Sequence, residues 1–217
     1  MNTHPFVIAI GRQLGSGGKQ VGEYLSQQLG VPVYDRRLII MAAEEQGFDT
    51  NVFRKADEIA AKGNLSKLAH AIASPFIAYR NAYDNPLSHE SLFRVQADII
   101  RAKAQAESCI MVGRCSDYIL RDHPRHLSVF IRADLEDRIY AVAQRFSLTH
   151  DEAKDLIIKN DRQRAQHHDL YAETNWGTAN AYDLCINASR LGVEGTAKIV
   201  LDYARQVLDI QNEEHCD

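Results

Sequence analysis

The chain has 217 residues, of which 45% are hydrophobic and 25% charged, and its formal net charge is −4. That suffices for one good core and is ordinary for a soluble globular protein, while the acidic balance argues against nucleic acid or an anionic membrane as partner. No apolar run approaches the ~20 residues a membrane-spanning helix needs, and the apolar segment at 6–10 is too short for a signal peptide, so a cytoplasmic location is expected. Any anion site must come from locally gathered arginines and backbone amides.

In chain order, "FVIAI" (6–10) reads as a buried strand that runs into a glycine loop and a helix. "VPVY" (31–34) is a second, weaker strand. Residues 37–46, 50–62, 64–82 and 88–107 carry helical pattern with no strand signal, interrupted at Pro75 and Pro86. "CIMV" (109–112), "LSVFI" (127–131) and "LCIN" (184–187) are further short apolar strands. Asp134 is placed to cap a helix through Arg145, and "THDE" (149–152) is a capping box. Val193, Ala197, Val200, Leu201, Ala204 and Leu208 recur at helical spacing, so the last helix packs on the sheet. Strands alternating with helices predict an α/β fold with a parallel sheet. Of the four cysteines, Cys109, Cys115 and Cys185 sit in or just after apolar runs, and none has C-x-x-C spacing. They are expected to be reduced and mostly buried.

The loop "GRQLGSGGKQ" (11–20) has the layout of a phosphate cradle. Unpaired amides at a helix N-terminus bind anions, and glycines let the backbone approach closely. Gly15, Ser16, Gly17, Gly18 and Gln20 form the cradle, and Lys19 brings a positive charge to the outer phosphates. Against G-x-x-x-x-G-K-[ST], Gln13 takes the first glycine slot and Gln20 the hydroxyl slot. Gly11 and Gly15 can reshape the turn. The lost hydroxyl normally ligates Mg²⁺, and an amide oxygen replaces it weakly unless water mediates. A rival dinucleotide reading starts well at Gly15-x-Gly17 and has Asp35 for a ribose, but Gln20 occupies its third glycine.

Phosphoryl transfer needs positioning and positive charge around the transferring group. Arg114 follows the third strand, where ligands of open α/β sheets bind. Arg162 and Arg164 end a long helix before the polar stretch 170–183, which suits a closing lid. Two residues apart, they converge only if that helix ends or bends. Asp35 can hold Mg²⁺ or its waters, and Arg36 can bind the acceptor's anion. Arg94, Asp98 and Arg101 read as a salt-bridged helical stripe. His167 and His168 diverge on a helix without a spaced partner, so no metal site is expected there. Trp176 packs the lid more readily than it stacks on a base.

Together, "AIGRQLGSGGKQVGEYLSQQLGVPVYDRRLI", "IMVGRCSDYIL", "VFIRADLEDRIYAVAQR" and "NDRQRAQHH…YDLCINASRLGVEGTAKIV" resemble the cytidylate kinase-like family of P-loop nucleoside and nucleotide kinases, over Phe6 to about Val207. The resemblance implies a single domain over 1–217 with a five-stranded parallel sheet of order 2-3-1-4-5. It also implies a helical acceptor-binding insertion over 36–107, a lid over 160–182, and transfer of the ATP γ-phosphoryl to CMP or dCMP with Mg²⁺. Lys19, Arg162, Arg164 and Asp35 would be catalytic, and Arg36 and Arg114 would hold the acceptor phosphate. Partners would be small nucleotides, with self-association left open. Two positions depart from true cytidylate kinases: Gln20 in the loop, and Cys115 where an acidic residue follows the glycine-arginine. A nucleotide-binding regulator without turnover is the alternative reading.

Overall fold

The computed structural model describes residues 4–35 and 89–210. Arg36 and the helices expected at 37–46, 50–62 and 64–82 lie outside the described residues. The elements are β1 (Val7–Arg12), α1 (Gly18–Leu29), β2 (Val33–Tyr34), α2 (His89–Ala106), β3 (Cys109–Val112), α3 (Ser116–Ile119), β4 (His126–Arg132), α4 (Leu135–Phe146), α5 (His150–Tyr171), β5 (Leu184–Asn187) and α6 (Gly192–Val207). All five strands are parallel in the order β2-β3-β1-β4-β5, as the resemblance implied.

Alternation along the central strand β1 divides the core. Ile8 and Ile10 point to one face, where Val21 and Leu25 of α1 and Ala197, Val200, Leu201 and Ala204 of α6 cover them. Val7 points to the other, with Met111 of β3, beneath Ile99 and Ile100 of α2 and Ile119 of α3. Both faces are therefore dry, which is why the central strands read as continuous apolar runs rather than alternating ones. A third cluster holds α4 to α5 through Ile139, Val142, Leu156 and Ile157, and Leu14 of the glycine loop joins it.

The capping box forms: the Thr149 hydroxyl accepts from the Glu152 amide, and the Thr149 amide donates to the Glu152 carboxylate at 2.9 Å. Asp134 does take the N-cap position of α4, but without a side-chain cap bond. Its carboxylate instead accepts from Asn187 Nδ2 at 3.0 Å, tying α4 to the end of β5. The cysteine expectation needs one correction. Cys109 and Cys115 are buried, but Cys185 is exposed, because β5 is the sheet edge and its residues alternate toward solvent.

Candidate functional site

The carboxyl ends of β1 and β4, the loop 13–17 and the start of α6 enclose a cavity of about 830 Å³. Its walls include Gly15, Ser16, Gly17, Gly18, Lys19 and Gln20, with Arg12, Asp35 and Arg164. The loop is built from local bonds. Gln13 donates its amide to the Ile131 carbonyl at 3.1 Å and accepts from the Ala133 amide at 3.2 Å, so it is sewn to β4. The buried Ser16 hydroxyl donates back to the Gln13 carbonyl at 3.0 Å. Gly17 is the N-cap of α1 with φ 82°, a left-handed conformation that costs a β-carbon-bearing residue about 1–2 kcal/mol. No side chain caps α1, so its first amides are left for a ligand.

Lys19 is half-exposed at the mouth of the cavity. Its ammonium lies 3.2 Å from Asp35 and 3.7 Å from Glu23. Gln20 is exposed beside it. Arg164 reaches across from α5, and its guanidinium donates to the Arg12 carbonyl at 2.8 Å. Arg162 is exposed and does not line the cavity, because α5 continues without a break to Tyr171 and its two arginines face different ways. Arg114 also lies outside the cavity wall. It is half-buried behind the end of β3 and donates to Gln96 of α2 at 3.4 Å.

Two residues that the sequence reading passed over organise this site. Asp161 accepts from the Leu14 amide at 2.8 Å through one carboxylate oxygen and from the Arg138 guanidinium through the other. It thereby fastens the glycine loop, α4 and α5 together. Its signal in the sequence was slight: an acid one residue before the lid arginines. Arg12 is the second. It ends β1, and its guanidinium lies against Gly113 so closely that a β-carbon there would stand 1.7 Å from Nη1. Burial, then the neighbouring Arg164 and Arg114, push its pKa down to about 9. A charged residue ending an apolar strand directly before the glycines was the available signal.

The turn after β3 is unusual. Gly113, Arg114 and Cys115 all have positive φ, at 80°, 62° and 56°. For the latter two this conformation costs about 1–2 kcal/mol each, held by the packing of Cys115 and Ile119 under α2. The Cys115 thiol is buried and its pKa is raised, by burial first and then by Asp117 and Asp169, so it is an inert thiol. Cys115, Asp117 and His168 bring ligand-type atoms within 4.8 Å of one another. One partner of His168 thus comes from α3, 51 residues away, and the other is its neighbour on α5. His168 Nε2 is bonded directly to Asp117 at 2.8 Å and Nδ1 lies 3.2 Å from Asp169. We read the group as an ion pair that ties α5 to the β3–α3 turn. Trp176 packs edge-on against Phe130, with ring centroids 5.0 Å apart, and its amide donates to Asp169 at 2.7 Å.

A profile of the cytidylate kinase-like family matches residues 7–190. The chain belongs to the cytidylate kinase-like family. A cytidylate kinase of Methanobrevibacter smithii is 25% identical over 197 residues, covering 90% of this chain and 96% of its own. An uncharacterized protein from Eubacterium ventriosum superposes with TM-score 0.68 at 26% identity, over 92% of this chain and 98% of the other. A gluconokinase from Sinorhizobium meliloti shares the fold, with TM-score 0.54 at 12% identity over 95% of both chains. By family and fold, the protein is a nucleoside monophosphate kinase-like phosphotransferase. Among the described residues no helix is long and apolar enough to cross a membrane.

Proposed function

We propose that this protein transfers the γ-phosphoryl of ATP to a nucleoside monophosphate, with CMP and dCMP the first acceptors to test. The observation that carries the reading is the cavity itself. Uncapped α1 amides, Lys19 and Arg164 face one space beyond the carboxyl ends of a parallel sheet. Gly17 and Gly18 are needed for the loop to pack: a β-carbon would stand 2.8 Å from Val193 at the first and 2.6 Å from Arg12 at the second.

In this reading the loop amides and Lys19 hold the β- and γ-phosphates, and Arg164 draws charge off the transferring group. Lys19 releases Asp35 as it does so. Asp35 is the carboxylate in the cavity wall suited to hold Mg²⁺ through water, with Gln20 beside it. Bound Mg²⁺ supplies charge neutralisation of the phosphates. An acceptor phosphate oxygen forms the new bond to γ-phosphorus while the bond to the bridging oxygen of ADP breaks. The acceptor is already an anion, so no strong base is needed. Arg114 and Arg36 are assigned to the acceptor phosphate. Arg162, exposed on the far side of α5 in this conformation, is assigned to a closed lid.

The test is ADP release from Mg·ATP with a panel of nucleoside monophosphates, nucleosides and small hydroxylated acceptors. Turnover is expected with a pyrimidine monophosphate. ATP binding without ADP above the acceptor-free blank would favour a nucleotide-binding regulator, the reading that Gln20 supports. Lys19→Ala is expected to cost ~3–4 kcal/mol of barrier, a factor of about 10²–10³ in rate, with little loss of stability because Lys19 is half-exposed.

A further inference from the structure

We propose that Arg12 is a phosphate-binding catalytic residue, which holds the γ-phosphate of ATP and carries charge neutralisation that a loop hydroxyl and its metal supply elsewhere. The inference rests on the phosphoryl-transfer reading above and adds a residue to it.

The geometry is specific. Arg12 leaves β1 at the point where the strand feeds the glycine loop, and its stem packs against Gly18, the first residue of α1. Its guanidinium crosses to the end of β3 and lies over Gly113, a position only glycine leaves open. It lines the same cavity as Lys19 and Arg164. Both nearby carboxylates act on it through space, and each is also engaged by another group. Asp35 is held by Lys19 at 3.2 Å, and Asp161 is taken by Arg138 and the Leu14 amide. Arg164 and Arg114 stand close enough to depress its basicity, and the cavity wall sets four cations, Arg12, Lys19, Arg145 and Arg164, against two carboxylates, Asp35 and Asp137. That excess of positive charge suits a multiply charged anion, and a guanidinium fork matches phosphate oxygens. Gln20 completes the argument: the loop lacks a metal-ligating hydroxyl after Lys19, while a cation, Arg12, stands before Gly15, Gly17 and Gly18.

The experiment compares ATP and ADP binding by calorimetry, with and without Mg²⁺, for the wild type, Arg12→Gln and Arg12→Lys, with thermal unfolding as the fold check. Arg12→Gln is expected to weaken ATP by about 10- to 100-fold, the usual effect of a charge-assisted bond, and ADP by less than about threefold. Arg12→Lys is expected to recover part of the ATP affinity. The wild-type preference for ATP is expected to persist without Mg²⁺. Equal weakening of ATP and ADP, or no change in either, overturns the assignment while leaving the kinase reading intact. A wild type that binds ATP through Arg12 yet turns over with no acceptor overturns the kinase reading and upholds the assignment. A wild type that binds neither nucleotide overturns both.

Discussion

Asp161→Ala is the sharpest probe of how the glycine loop is held. The side chains of Arg138 and Asp161 are 7% and 15% exposed, so the substitution leaves a guanidinium in a nearly dry site without its counter-charge. Removing one partner of a buried pair costs ~3–5 kcal/mol. The Leu14 amide also loses its acceptor, which by itself costs ~1–3 kcal/mol where water cannot replace it. The two losses share one side chain and are not additive, so the low end of the first range, about 3 kcal/mol, is the working figure. At ~2–4 °C per kcal/mol for a chain of this size, Tm should fall by about 6–12 °C in thermal unfolding followed by circular dichroism. Asp161→Asn keeps an acceptor for Leu14 and should fall by roughly half as much. The decisive comparison is Asp161→Ala with Arg138→Met. If the stranded guanidinium is the cause, removing it restores at least ~1.5 kcal/mol, and the double variant is more stable than Asp161→Ala alone. A shift below about 2 °C for Asp161→Ala, or a double variant that loses the sum of the two singles, would refute the reasoning.

Three further outcomes are expected. His168 is pulled down by burial but lifted further by its bonds to Asp117 and Asp169, so its folded pKa stands above 6.5. The stabilisation it provides is complete below about pH 6.5 and is lost as pH rises through the folded value; the difference in urea stability between wild type and His168→Gln should therefore shrink from pH 6 to pH 9. A difference that grows with pH would contradict the ion pair with Asp117. Native iodoacetamide labelling mapped by mass spectrometry should modify the exposed Cys185, while Cys109 and Cys115 label only on unfolding, since burial pushes their thiols up, that of Cys109 to about 12. Gln20→Thr, at an exposed position, should leave Tm within about 1 °C and lower the Mg²⁺ concentration needed for half-maximal ADP release. An unchanged Mg²⁺ requirement would mean that this loop position does not hold the metal in either form.

Much of the architecture was legible because its signals are local. Apolar runs of four or five residues separated by helical pattern read as strands of a parallel sheet, and all five expected strands form. The capping box at Thr149 and the last helix are likewise decided by neighbours three and four residues away. Asp134 shows the limit of that logic. Its cap position was readable, but its carboxylate turns to Asn187, a competitor 53 residues distant that no local pattern announces. Cys185 was misjudged for a related reason: an apolar run looks the same in a central strand as at an edge, and strand order decides which it is.

The site divides the same way. By itself, the sequence determined that a glycine loop with Lys19 would stand between a strand and a helix, since backbone chemistry there depends only on adjacent residues. It could not determine which arginines share a space. Arg162 and Arg164 are near neighbours in the chain, yet the unbroken helix sends only Arg164 to the loop. Arg12 and Gly113 are far apart in sequence, yet parallel pairing of β1 with β3 sets the guanidinium of one over the bare α-carbon of the other. Charge falls off over a few ångströms in a screened medium, so its effects follow distance in space. Only tertiary structure supplies that distance, and it made Arg12 and Asp161, rather than Arg162, the residues that shape this loop.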